Sequence, residues 1–166
     1  MERISLSGAW RSRTIRDLIV KREVFIDTDV MAAYLTHGGP TPSALRVIAS
    51  AAQCFTSVLH GTELVACASN DTERYLAESV LWGMHVLGFH QRYTIPFGDL
   101  HRTHGAGRPL RDTLTAGMCI LNRLPLVTMR PLRYRAFRDL TVFNGGEVRS
   151  LRDSFDTDIP AQSWQG

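Results

Sequence analysis

The chain has 166 residues and a mass of 18.6 kDa, with 44% hydrophobic and 21% charged residues, which suits one globular domain able to bury a core and leaves too little chain for two. The formal charge is +3 and the sequence pI about 9.0, carried almost wholly by arginine because Lys21 is the only lysine. The longest apolar run near the start, Leu18-Ile19-Val20, is too short for a signal-peptide core or a membrane span, and Cys54, Cys67 and Cys119 form no CxxC pair, so they read as buried thiols of a cytoplasmic protein.

Residues 1–22 are polar and basic and are expected to be an extension to the domain. The stretch "VFIDTDV" (24–30) reads as a buried strand that ends in two carboxylates, Asp27 and Asp29. Ionised carboxylates closing an apolar strand are costly unless water, a cation or hydrogen-bond donors meet them. "MAAYL" begins a helix that "THGGPTP" breaks, and "SALRVIASAA" starts another. "CFTSV" is a short strand, and "LHGTELVACAS" carries Leu59, Glu63 and Ala66 at helical spacing.

"NDTERYLAESVLWGMHVLG" opens with Asn70 and Glu73 in capping-box spacing, and its period puts Leu76, Val80, Met84 and Leu87 on one helical face. "YTIPF" (93–97) reads as a strand and "DLHRTHGAG" (99–107) as a polar loop. The helix over 109–123 opens at Pro109 and shows Leu110, Leu114, Met118 and Leu121 as a stripe. "PLVTM" (125–129) is a strand, "RPLRYRAF" a basic helical turn, and "LTVF" (140–143) the last strand. From Asn144 to 166 the chain is a polar tail expected to fray.

Strands separated by helices predict a single-domain three-layer α/β/α fold with a central, mostly parallel sheet over 23–143. Ligands of such sheets collect at the carboxyl ends of strands where the strand order reverses, the kind of place Asp27 and Asp29 occupy. An Asp-x-Asp there fits phosphatases of the haloacid-dehalogenase type and response-regulator receivers, but both use a later lysine and nothing after Lys21 is lysine.

A third resemblance covers more of the chain. "FIDTDVMAAYL", "TSVLHGTELV", "RDTLTAGMCILNRLPLVT" and "RYRAFRDLTVF" stand in the order and spacing of PIN-domain ribonucleases, which include VapC-type toxins of toxin–antitoxin pairs. The sequence resembles that family over residues 23–143. The resemblance implies that Asp27, Glu63 and Asp112 are catalytic. It further implies that Asp27 and Asp112, with Asp29 as a supplementary oxygen donor, hold Mg²⁺ or Mn²⁺, the hard cations that suit carboxylates. It implies RNA as substrate, a cognate antitoxin protein and a homodimer. The family's usual Asp or Asn after "LVT" is replaced by Arg130, which cannot ligate a cation. A PIN-like domain that has lost catalysis and binds RNA or protein is the competing expectation.

Each residue also has a plain structural role available. Asp29 can cap the following helix, Glu63 can be a solvated helix residue, and Asp112 suits the dipole of a helix start. Arg130, Arg133 and Arg135, with Tyr134 as a stacking ring, form a candidate RNA-binding turn. Arginine enrichment fits a polyanionic or acidic partner, and it equally fits GC-rich codon usage. His101, His104 and Asp99 are spaced as a weak transition-metal candidate.

Overall fold

The computed structural model describes residues 23–148 except Pro40, so the expected extension (1–22) and most of the expected tail (149–166) lie outside the described residues. Strand β1 (Glu23–Ile26) leads into helix α1 (Thr28–Leu35), and α2 (Ala44–Ala51) precedes β2 (Gln53–Ser57). Helix α3 (Val58–Ala66) starts directly from β2. Then come α4 (Asp71–Trp82), β3 (His85–Leu87), a 3-10 turn (Gln91–Tyr93), α5 (Thr94–Leu100) and a wider helical turn (His101–Gly105). Helix α6 (Leu110–Leu121), β4 (Leu126–Thr128), a 3-10 turn (Pro131–Tyr134) and β5 (Val142–Asn144) follow.

The five strands form one parallel sheet in the order β3-β2-β1-β4-β5, with Phe25 level with both Phe55 and Leu126. Both faces are covered, which is why β1 is apolar at every inner position. Val24, Phe25 and Ile26 are fully buried. Alternation then splits the core in two. Val24, Ile26, Val127 and Phe143 pack with Met31, Leu45, Ile48 and Leu64 on one side. Phe25, Leu126 and Val142 pack with Phe97, Met118 and Tyr134 on the other. The three-layer parallel α/β/α architecture is therefore the expected one. Val148 joins the first core, so the packed unit extends past the expected boundary at 143.

Several elements differ from expectation for identifiable reasons. "YTIPF" is helical: Tyr93 and Phe97, four residues apart, stack with ring centroids 5.3 Å apart, and helical (i, i+4) pairing prevails over local β-propensity. Pro96 is tolerated because it lies in the first turn, where amide protons have no helical partner. The third strand is instead "HVL", which Gly83 frees by ending α4 at Trp82. Met84 and Leu87 thus leave the helix, whose buried residues are Ala77 and Val80. "HRTHG" continues α5 rather than forming a loop. Cys67 is exposed, unlike Cys54 and Cys119. No described helix is long and apolar enough to cross a membrane.

Helix α6 buries small and polar residues, Thr113, Thr115, Ala116, Gly117 and Cys119 beside Met118, while Leu110 and Leu121 of the expected stripe are exposed. The cause is close approach by α5: a Cβ on Gly117 would stand 2.5 Å from the Phe97 ring. Gly117→Ala is therefore expected to destabilise the domain by about 1–3 kcal/mol through overpacking, measured as a shift in the urea midpoint without a change in slope.

Candidate active site

Strand order reverses at β1, since β2 lies on one side of it and β4 on the other. Asp27 stands at that point. Its amide still pairs with the Val127 carbonyl at 3.0 Å, extending the sheet, while its carboxylate accepts the Thr28 amide at 2.8 Å and caps α1. The side chain is almost completely buried. It therefore needs partners, and it finds them on three further elements.

Arg111, in the first turn of α6, is the principal one. Its Nη2 donates to Asp27 Oδ1 at 2.6 Å and to Glu63 Oε2 at 2.8 Å, and its Nε donates to Glu63 Oε1 at 2.5 Å. Its Nη1 donates to the Tyr134 hydroxyl at 3.1 Å and lies 3.8 Å from Asp112 Oδ1. One guanidinium thus hydrogen-bonds Asp27 and Glu63 and stands 3.8 Å from Asp112, the three carboxylates expected to be catalytic. Tyr134, from the turn after β4, donates its hydroxyl to Asp27 Oδ2 at 2.9 Å. Thr28 donates to Glu63 Oε2 at 2.5 Å and ties α1 to α3.

Asp112 is met by a second arginine. Arg133 Nε donates to Oδ2 at 2.8 Å and also lies 2.7 Å from Oδ1, where the angles are wrong for a hydrogen bond. Oδ1 is thereby a buried oxygen with charge nearby and no hydrogen bond. Arg108 Nη1 holds the Arg133 carbonyl at 3.0 Å and fixes that turn against the start of α6.

His60 forms the floor. Fully buried on α3, it shares a hydrogen bond with Ser57 Oγ at 2.7 Å through Nδ1 and with Thr115 Oγ1 at 3.1 Å through Nε2. Burial pulls its pKa down to about 4 despite the pull of Asp27 the other way. It is therefore neutral at pH 7, and its 3.6 Å approach to Asp27 Oδ1 is a polar contact rather than an ion pair. Burial alone would raise the Asp27 carboxyl; the charge and hydrogen bond of Arg111, aided by His60 and Tyr134, outweigh it and hold the group below its ordinary value. Glu63 is lowered in the same way, with burial opposed by hydrogen bonds from Arg111 and Thr28.

The other expected site residues fall elsewhere. Asp29 takes its hydrogen bonds from Thr128 Oγ1 at 3.0 Å and the Met129 amide at 3.1 Å, securing the end of β4 instead of joining the Arg111 cluster. Burial and the neighbouring Asp27 raise its pKa. Arg130 is largely exposed and lies 3.7 Å from Asp29, reaching neither Asp27 nor Asp112. Arg135 is exposed. Tyr134 is fully buried, which corrects its expected role as a base-stacking ring, and Arg133 is committed to Asp112 instead of being free on the surface. His101 bonds to Thr113 at 2.8 Å.

Arg111, His60 and Thr28 were missed by sequence reasoning. Arg111 did carry a signal: a cation in the first turn of a helix opposes the helix dipole and calls for a nearby anion.

Among the described residues, no three His, Cys, Asp or Glu side chains are grouped so as to hold a metal ion as they stand. The donor chemistry nevertheless suits a hard cation: three carboxylates from three elements surround one positive centre, and Asp112 Oδ1 keeps an unused lone pair beside it. The centre itself is filled by the guanidinium of Arg111.

No family model matches this sequence, and no curated protein matches it. Solved structures do share its fold. A chain of VapBC2 from Rickettsia felis bound to a DNA fragment from its promoter superposes with TM-score 0.61 at 17% identity, covering 74% of this chain and 98% of that one. A toxin–antitoxin complex from Klebsiella pneumoniae gives 0.58 at 15%, covering 74% and 97%. VapBC-1 from nontypeable Haemophilus influenzae gives 0.59 at 15%, covering 75% and 98%. The fold is thus the three-layer arrangement of these PIN-domain neighbours.

The neutral, buried His60 gives the site a pH dependence. Unfolded, it takes up a proton near pH 6.5; folded, only near 4. Between these values the unfolded state binds more protons, so stability falls as pH falls, by about 2–3 kcal/mol at pH 4 from this group. Urea unfolding of wild type and His60→Gln from pH 7 to 4 is expected to show a shallower decline in the variant.

Proposed function

We propose that this chain is a PIN-type toxin ribonuclease that hydrolyses RNA phosphodiesters at Asp27, Glu63 and Asp112. The observation that carries the reading is the meeting of these three side chains around one cation at the strand-order reversal, reached from β1, α3 and α6. Carboxylates brought this close repel unless a positive charge lies among them.

Asp27, Glu63 and Asp112 would hold Mg²⁺ or Mn²⁺. Bound there, the ion supplies acidified water and neutralises charge building on a phosphodiester. The chain's own residues do the rest. Tyr134, His60 and the Thr28 amide fix the orientation of Asp27, and the sheet on one side and α6 on the other exclude bulk water from it. The exposed Arg130 and Arg135 stand on the turn that adjoins Asp112 through Arg133, which supports a role for them in receiving RNA phosphates. The structural neighbours are toxin–antitoxin complexes, which supports a cognate antitoxin as partner; a homodimer remains part of the proposal on family resemblance.

A second reading has a specific observation in its favour. With Arg111 filling the centre, the domain would bind RNA or protein without cutting. The two separate in one experiment on a structured RNA pool incubated with wild type or Asp27→Asn protein in Mg²⁺, Mn²⁺ or EDTA, after circular dichroism shows both folded. The ribonuclease reading expects metal-dependent cleavage that falls at least about a hundredfold in the variant. Absence of cleavage by folded wild-type protein in every condition would overturn the ribonuclease reading and favour the binding module.

A further inference from the structure

All three nitrogens of the Arg111 guanidinium make hydrogen bonds inside the acidic centre. Nε and Nη2 span Asp27 and Glu63, Nη1 faces Tyr134 and Asp112, and Thr28 Oγ1 lies 3.3 Å from Nη2. The side chain is only 21% exposed. Among the described residues no comparable engagement exists for Arg130, the arginine that the sequence pattern drew attention to, which is 68% exposed and lies 3.7 Å from Asp29.

Charge sharpens the point. Asp27, Glu63 and Asp112 carry three negative charges, and Arg111 and Arg133 return two of them. Arg133 approaches Asp112 from the rim, whereas Arg111 lies among all three carboxylates. A divalent cation entering that centre would meet a like charge within a few ångströms in a poorly hydrated setting, where Coulomb interactions are several times stronger than in water. It would also seek the oxygens that Arg111 already engages.

We propose that the Arg111 guanidinium and a divalent cation are alternative occupants of the Asp27–Glu63–Asp112 centre, so that metal enters only as the arginine side chain leaves. The inference rests on the reading of these carboxylates as the working site. Departure requires no change of fold. Arg111 is the residue before Asp112, its carbonyl stays in α6 as acceptor for Thr115 Oγ1 at 2.9 Å, and a long unbranched side chain at the start of a helix can swing to the solvent edge while Asp112 stays in place. The arginine thus stabilises the metal-free domain by compensating its carboxylates, and it lowers metal affinity in the same measure.

The test is Mn²⁺ binding by calorimetry, with thermal unfolding in EDTA and in Mn²⁺, for the full chain as wild type, Arg111→Met, Arg111→Lys and Arg111→Met/Asp27→Asn. The expected result is at least tenfold tighter Mn²⁺ binding by Arg111→Met than by wild type, lost again in the double variant. Its melting temperature should be lower than wild type in EDTA and recover in Mn²⁺. Arg111→Lys, which keeps the charge but cannot span two carboxylates, should fall between the two and serves if Arg111→Met does not fold without metal. Equal or weaker Mn²⁺ binding by the Arg111 variants would overturn the competition while leaving a metal centre in place. Absence of Mn²⁺ binding in wild type and in every Arg111 variant would overturn both the competition and the metal-dependent reading beneath it.

Discussion

The structure depends on how one buried carboxylate is compensated. Asp27 is nearly inaccessible to solvent, and an uncompensated ion at that depth would cost several kcal/mol. Its partners come from α1 (the Thr28 amide), α6 (Arg111) and the turn after β4 (Tyr134), with His60 of α3 close beside it. Asp27 is therefore a junction as well as a candidate catalytic group. Any change there acts on the packing of four elements at once, so stability and chemistry at this position are coupled through the same hydrogen bonds.

Topology decides which residues can meet at the junction. Because β1 is central, the helices that follow β2 and precede β4 both begin or end beside its carboxyl end. Helix α3 starts from β2 without a linker, placing His60 and Glu63 in its first two turns at fixed distances from the sheet. Ser57 would ordinarily cap that helix, yet its hydroxyl goes to His60 instead. The helix start forgoes a side-chain cap, worth about 1 kcal/mol at most sites, and His60 gains a fixed ring orientation under Asp27.

The parts of this arrangement legible in the sequence are those in which local pattern and burial agree. An unbroken apolar strand ending in aspartate marked β1 and Asp27, whereas Asp112 was marked only by the resemblance of "RDTLTAGMCILNRLPLVT" to the PIN-domain pattern. The parts that were not legible are set by contacts remote in sequence. Tyr93 to Phe97 has strand-like composition, but its helix is secured by ring stacking and by the gap that Gly117 leaves in α6. The short edge strand His85–Leu87 is half exposed, so its pairing with β2 leaves little hydrophobic signature. Tyr134 sits among arginines and reads as a surface ring; its burial follows from the hydroxyl that Asp27 requires.

Arg111 shows why such a centre takes arginine and not lysine. A compact ammonium could pair with one carboxylate at a time, whereas the planar fork reaches Glu63 and Asp27 with one edge and Tyr134 with the other. Burial alone would lower the arginine's pKa; the hydrogen bonds and charges of Glu63 and Asp27 outweigh it and raise it above its ordinary value, so the side chain keeps its proton. The compensating charge thus cannot be removed by titration. The centre can change its state only by exchanging one cation for another or by losing a carboxylate's charge. Since Asp27 and Glu63 are both held below their ordinary values, the second route lies at acid pH, where the neutral His60 is also losing its fit to the fold. Near neutrality, exchange of cations is the route left.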